Sequence, residues 1–312
     1  DWLAPRDDVR HAHLRLDVPG DAERLARLLA GKAVGLVLSG GGARAMAHAG
    51  VIRALVEAGV PIDAVGGASM GGVLAAQYAM GRSPQEMEQD TREQLDRLRS
   101  PANLSFKLSS VLSSRRLDSM LQAACQNLRI EDLWIPFFCT SCNLYTAQLV
   151  VHERGLLRRA LYATIALPGV FPPQLESGDV LVDGAIINAL PCDVMKQCTG
   201  GVVVASDITG AVREGEAAGS GAGAPAWGGR RELPNMFDVL QHSTMLGSRH
   251  HLERLKRDAD VYIPCQVGAD HGLFQTTGVE RLVDIGYKAG RAAVPRILEQ
   301  LDEGRRSDVS GE

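Results

Sequence analysis

Apolar positions along this chain fall into two rhythms. Short unbroken runs at Val34 to Leu38, Ile62 to Val65, Val180 to Val182 and Val202 to Ala205 have the length and β-branched content of strands buried on both faces. Between them, apolar residues recur at helical spacing over Ala22 to Leu29, Ala47 to Ala58 and Val73 to Met80. Ser83-Pro84-Gln85-Glu86 is a capping box with proline at the first helical position, and it opens a charged helix to about Arg99. Trp134 to Leu144 and Gln148 to Val151 read as strands joined by a turn, and Val261 to Ile263 as a further strand. Strands alternating with helices predict one layered α/β domain, spanning residues 21–301.

The ends and one internal stretch break the pattern. Residues 1–20 read as a leader or linker, and residues 302–312 as a polar, disordered tail. Residues 209–234 turn to glycine, alanine and serine, too poor in apolar surface to order themselves, and are expected to form a flexible insertion. Asp1 in place of methionine fits a piece of a longer protein.

Chemistry concentrates in three segments. Gly67-Ala68-Ser69-Met70-Gly71 lies between a strand and a helix, where a serine on a tight elbow exposes its hydroxyl and glycines let the two elements close up. Upstream, the Val34 to Leu38 strand runs into Ser39-Gly40-Gly41-Gly42-Ala43-Arg44 and then a helix. Backbone amides in such a loop suit a developing negative charge, so Gly40, Gly41, Gly42 and Ala43, with Arg44 nearby, are candidates for an oxyanion hole. Gly40, Gly42 and Ala45 also satisfy a dinucleotide-binding spacing, with Asp63 about twenty residues on. Against that use, Asp63 opens its strand where the fingerprint acid should close it, and a merely tight turn explains the glycines equally. In the third segment, Asp183-Gly184-Ala185 ends an apolar strand. Asp183 is either a turn residue or a base, and the latter requires contact with the Ser69 hydroxyl.

Together, Gly40-Gly41-Gly42-Ala43-Arg44, Gly67-Ala68-Ser69-Met70-Gly71 and Asp183-Gly184-Ala185 resemble, in order and spacing, the patatin-like phospholipases, specifically the neuropathy target esterase branch and its bacterial relatives. Further similarity lies in Ile130 to Pro136, Leu167 to Pro173 and Ile187 to Pro191. The resemblance implies a patatin-like three-layer sandwich, a mostly parallel central sheet flanked by helices. It also implies a Ser69–Asp183 dyad without a catalytic histidine, acting on acyl esters of lysophospholipids or phospholipids with no cofactor and no metal. Family members often carry regulatory modules N-terminal to this part. The scattered cysteines point to a cytoplasmic setting, with any membrane contact peripheral, on the inner face of the cell membrane. Two positions depart from the family pattern: Ala45, where a further glycine is usual, and Ala185, an accepted alternative to glycine.

Two other readings share the residues. An α/β-hydrolase triad Ser69-Asp183-His271 would use the same elbow with a histidine after the acid, and a non-catalytic lipid-binding module would keep the fold without turnover. His242, His250 and His251 read as parts of a polar helix, and His48 as a packing or capping residue. Phe106, Leu108, Val111 and Leu112, in a stretch of mixed helical signals, would serve the core or a lipid-entry surface. Trp227 is a candidate membrane anchor.

Composition narrows this little. With 312 residues, 45% hydrophobic and 22% charged, the chain can bury a large core, and a formal charge of −4 gives no pull toward nucleic acid. The clusters Arg154, Arg158, Arg159 and Arg249 to Arg257 are solvated faces or headgroup contacts. Six scattered cysteines, including Cys139 and Cys142, read as core thiols of a reducing compartment, and no apolar run is long enough to span a bilayer.

Overall fold

The computed structural model describes residues 12–99, 104–107, 110–112, 114–208, 243–244, 246–250, 252–267 and 278–309. Helix α1 (Pro19–Leu29) precedes β1 (Val34–Leu38), α2 (Met46–Glu57), β2 (Ala64–Ala68), α3 (Met70–Ala79) and α4 (Pro84–Arg99). A hairpin of β3 (Leu104–Lys107) and β4 (Ser110–Leu112) leads to α5 (Ser114–Cys125), β5 (Phe137–Asn143), β6 (Leu149–His152) and α6 (Leu157–Thr164). Then come β7 (Gln174–Glu176), β8 (Asp179–Asp183), α7 (Cys192–Thr199) and β9 (Val202–Asp207). Short helical turns at Leu246–His250 and Leu252–Leu255 precede β10 (Val261–Pro264) and the long helix α8 (Val279–Val309).

Eight strands form one sheet in the order β10-β9-β1-β2-β5-β8-β7, with β6 also paired to β5. Strands β10, β9, β1, β2 and β5 run parallel, whereas β6 and β8 run antiparallel to β5 and β7 antiparallel to β8. Every residue of β1 is buried, as a central parallel strand covered on both faces requires. One face packs Leu36 and Leu38 with Ile52 and Leu55 of α2, Leu74 of α3 and Leu161 of α6. The other packs Val37, Phe138 and Val203 with Cys192 and Met195 of α7. The sheet is thereby the middle layer of three.

The placement of β8 decides where the site forms. Thr140 of β5 pairs with Ala68 of β2 and Val151 of β6, and the next residue, Ser141, pairs with Asp183 of β8 and Val150 of β6. Strand β6 holds one edge throughout, so β2 and β8 share the other edge and meet head to head at their C-terminal ends.

Several sequence expectations shift. Strand β2 lies later than Ile62 to Val65 and runs straight into the elbow, and α3 begins at Met70 rather than Val73. The stretch of mixed helical signals contains the β3–β4 hairpin before α5. Helix α1 starts at Pro19, and the residues before it are tied down: Arg15 grips Asp21 through both carboxylate oxygens at 2.8 and 2.9 Å and stacks over Trp134 at 4.8 Å. His13 reaches the Glu131 carbonyl at 2.7 Å. Part of the expected leader thus packs on the domain through a buried carboxylate. At the other end α8 continues to Val309, past Asp302, in keeping with the high helix propensity of Glu303, Arg305 and Arg306. The insertion at 209–234, with Trp227, lies outside the described residues.

Candidate active site

Ser69 is the turn between β2 and α3. Its φ of 54° and ψ of −135° lie in a region that costs a side-chain-bearing residue about 1–3 kcal/mol. Glycines permit the turn, since a Cβ at either Gly67 or Gly71 would overlap the Leu38 carbonyl oxygen. The backbone is also pinned: the Ser69 amide donates to Thr164 Oγ1 at 2.9 Å, and the Thr164 hydroxyl donates to the Thr140 carbonyl at 2.7 Å. Thr164, the last residue of α6, was not singled out from sequence, where nothing local marks it.

The head-to-head arrangement of β2 and β8 puts the two side chains in contact. Ser69 Oγ donates to Asp183 Oδ2 at 2.6 Å, and Asp183 Oδ1 accepts the Ala185 amide at 2.9 Å. The Asp183 amide is tied to the Ala166 carbonyl at 3.1 Å, just before the Leu167 to Pro173 segment. The carboxylate is wholly buried, beside a small apolar cluster of Ala68, Ala185 and Ala189. Burial raises its pKa to about 7 against the opposing pull of the Ser69 and Ala185 hydrogen bonds.

The glycine loop abuts this pair: a Cβ on Gly40 would lie 3.2 Å from Ser69 Cβ. The Gly40 amide donates to the Ala189 carbonyl at 3.1 Å, so Gly40 shapes the loop and is removed from the candidate oxyanion donors. Gly42 and Ala43 open a buried 3-10 helix (Gly42–Ala45), whose leading amides have no acceptor within the helix. Arg44 Nε donates to the Gly41 carbonyl at 3.4 Å and braces the loop. Ala45 has φ −58° and ψ −16°, ordinary helical values that alanine takes as readily as glycine, so the departure there leaves the loop unstrained.

His48, in the first turn of α2, is fully buried beneath this loop. Its Nε2 lies 3.0 Å from the Ser39 carbonyl, which can only accept, so Nε2 carries the proton and Nδ1 accepts from the Ser206 hydroxyl at 2.8 Å. Burial lowers its pKa to about 4 and keeps it neutral. It is a packing residue that also fixes the peptide entering the loop. A second histidine, His152, pairs with Ser141 at 2.7 Å, and burial likewise lowers it to about 4.

The remaining sequence candidates separate from the site. Asp63 is buried and accepts Arg27 Nε and Nη2 at 2.8 and 2.7 Å and the Val34 amide at 2.9 Å, a tie between α1 and the sheet. That occupancy leaves it no oxygen directed at a ribose, which overturns the dinucleotide reading of the loop. Cys139 and Cys142 are unpaired thiols buried in β5. His271, His242 and His251 lie outside the described residues. Among the described residues, no group of three or more His, Cys, Asp or Glu is arranged to hold a metal ion, and no helix is long and apolar enough to cross a membrane.

A three-layer α/β fold whose elbow serine contacts a buried aspartate defines the class. The sequence profile described as "Patatin-like phospholipase" matches residues 36–196, which spans both motifs, and the chain belongs to that family. It is 30% identical over 95% of its length to "Patatin-like phospholipase domain-containing protein 6" of Homo sapiens, and 32% identical over 91% of its length to "Lysophospholipase NTE1" of Coccidioides immitis. It spans only 24% and 19% of those two proteins. Among solved structures, VipD from Legionella pneumophila superposes with a TM-score of 0.53 at 12% identity, covering 87% of this chain and 67% of that one, a likeness of fold alone.

Proposed function

We propose that this chain is a serine esterase that hydrolyses acyl esters of lysophospholipids or phospholipids, with Ser69 as nucleophile and Asp183 as its base. The observation that carries the reading is the 2.6 Å hydrogen bond from Ser69 Oγ to a carboxylate that burial has raised to about 7. A base of that pKa is half ionised near neutrality and strong enough to take a serine proton as the hydroxyl attacks.

In this mechanism Asp183 accepts the Ser69 proton while Oγ bonds to the ester carbonyl carbon. The amides of Gly41, Gly42 and Ala43 stabilise the oxyanion, a contribution of about 10²–10³ in kcat for each donor. Collapse breaks the bond to the glycerol oxygen, which leaves with the proton held by Asp183. A water, deprotonated by the same carboxylate, then hydrolyses the acyl-enzyme and restores Ser69.

The lysophospholipase and phospholipase names of the relatives support the substrate class. The triad alternative requires an imidazole between serine and acid, and the direct Ser69–Asp183 contact favours the dyad. The greater length of the relatives supports regulatory segments elsewhere in a parent chain, and a lipid substrate suits a peripheral membrane setting. The test is covalent capture: a fluorophosphonate adduct should map by mass spectrometry to the peptide containing Ser69 and vanish in Ser69→Ala. An adduct on another serine overturns the assignment.

A further inference from the structure

The β6-β5-β8-β7 end of the sheet carries a row of apolar side chains that nothing among the described residues covers. The antiparallel register continues from Asn143↔Leu181 to set Leu144 beside Val180, whose other neighbour is Leu175, and the Leu144 amide donates to the Val180 carbonyl at 2.8 Å. Cross-strand neighbours share a face, so Leu144, Val180 and Leu175 point the same way. Val151, opposite Thr140, lies on the same face further along the sheet, past the buried Cys142 and Val182. Leu144 is 51% exposed, Leu175 73%, Val151 37%, and Tyr145 in the adjoining turn 80%. Single exposed leucines are ordinary on protein surfaces; a contiguous row is not.

Its position relative to the site is set by the strands. β2 ends at the level of Thr140, whereas β5 runs on to Asn143, so Leu144 and Tyr145 project past the end of the sheet that holds Ser69. Strand β8 runs from this row directly into Asp183. The charge around the row is equally specific. Neither 130–153 nor 160–195 contains a lysine or arginine; the charges that flank the row on β7 and β8, Glu176 and Asp179, are acidic, and Arg154 lies beyond the far end of β6. An anionic membrane would be repelled here, whereas a zwitterionic or uncharged lipid surface accepts apolar side chains and an interfacial tyrosine.

We propose that Leu144, Tyr145, Val151 and Leu175 dock this protein on a zwitterionic or uncharged lipid surface, with the Ser69 end of the sheet turned toward it. The proposal rests on the lipid-ester reading of the site and adds to it the surface and the charge of the partner. Docking through these side chains brings a lipid ester to the site without full transfer through water.

The test is cosedimentation of the whole chain with phosphatidylcholine vesicles, with and without phosphatidylserine, alongside hydrolysis of a water-soluble short-chain aryl ester. Wild type should sediment with pure phosphatidylcholine, insensitively to salt. Tyr145→Ser and Leu175→Ser should each weaken partition about tenfold while aryl-ester hydrolysis is unchanged, which also reports that both variants are folded. Binding that requires phosphatidylserine, or that survives both substitutions, overturns the proposal. So does a wild type that ignores vesicles and self-associates until these residues are replaced. If wild type binds vesicles through these residues yet cleaves no ester, the docking surface stands and the hydrolase reading falls.

Discussion

Ala68 and Asp183 occupy consecutive positions along one edge of β5, opposite Thr140 and Ser141. Strand β2 delivers the nucleophile from one direction and β8 the carboxylate from the other, so two residues far apart in sequence meet with hydrogen-bond geometry. The same head-to-head junction buries Asp183 completely, and its shifted pKa follows from that burial.

The activity should therefore depend on pH as this carboxylate does. Asp183 acts as a base only when ionised, so kcat/KM should rise with pH through an inflection near 7 and reach a plateau above it. An ordinary aspartate, titrating near 4, would leave the profile flat above about pH 5. Measurement on a soluble ester between pH 5 and 9 separates the two.

The same shift predicts a stability effect of opposite sense to the activity. A carboxyl whose folded pKa exceeds its unfolded value stabilises the fold below the unfolded value, near 4, and loses that contribution as pH rises through about 7. At pH 8 the wild type bears the full cost of a buried carboxylate. Asp183→Asn, whose amide can keep both the Ser69 and Ala185 contacts, should be inactive yet melt at higher temperature than wild type at pH 8. The gap should narrow as pH falls toward 5. Scanning calorimetry at several pH values checks this, and a variant less stable than wild type at pH 8 would count against the burial argument.

Thr164 should act through the elbow. Thr164→Val keeps the volume but removes the acceptor of the Ser69 amide and the donor to the Thr140 carbonyl. Misplacing the nucleophile should lower kcat about 10- to 100-fold with KM changed little, and Thr164→Ser should restore most of it. Loss of stability without a change in kcat would reduce Thr164 to a structural residue.

These residues also mark what was legible in the sequence. Strand β1 and the start of α4 were readable because their signals are local: an unbroken apolar run, and the Ser83–Glu86 capping box, formed with contacts of 2.8 and 3.3 Å. Strand β2 lies later than its apolar run suggests because Gly66, Gly67 and Ala68 lack the side chains by which a buried strand is recognised. Close packing against Phe138 and the Leu38 carbonyl demands that smallness. The Ser69 and Asp183 motifs could be named from their neighbours, but their contact depends on β5, which neither motif contains. Thr164 and the Gly40–Ala189 hydrogen bond had no local signal, since each matters only once distant segments meet.

Asp63, which fits a nucleotide spacing in the sequence, should prove structural. Asp63→Ala strands the Arg27 guanidinium and the buried Val34 amide, and should destabilise the fold by about 2–4 kcal/mol. Denaturant melts read this directly. Near-native stability combined with altered nucleotide binding would instead make Asp63 part of a nucleotide site.

A Ser69–Asp183 dyad that works without histidine should be visible in fatty-acid release from a lysophospholipid. Wild type, Ser69→Ala, Asp183→Asn and His271→Ala should be compared in parallel under one set of conditions. Wild type and His271→Ala should release fatty acid, and the other two none. A folded but inactive His271→Ala would contradict the dyad in favour of a triad, and a wild type that releases nothing from any ester would leave a lipid-binding module in place of an enzyme.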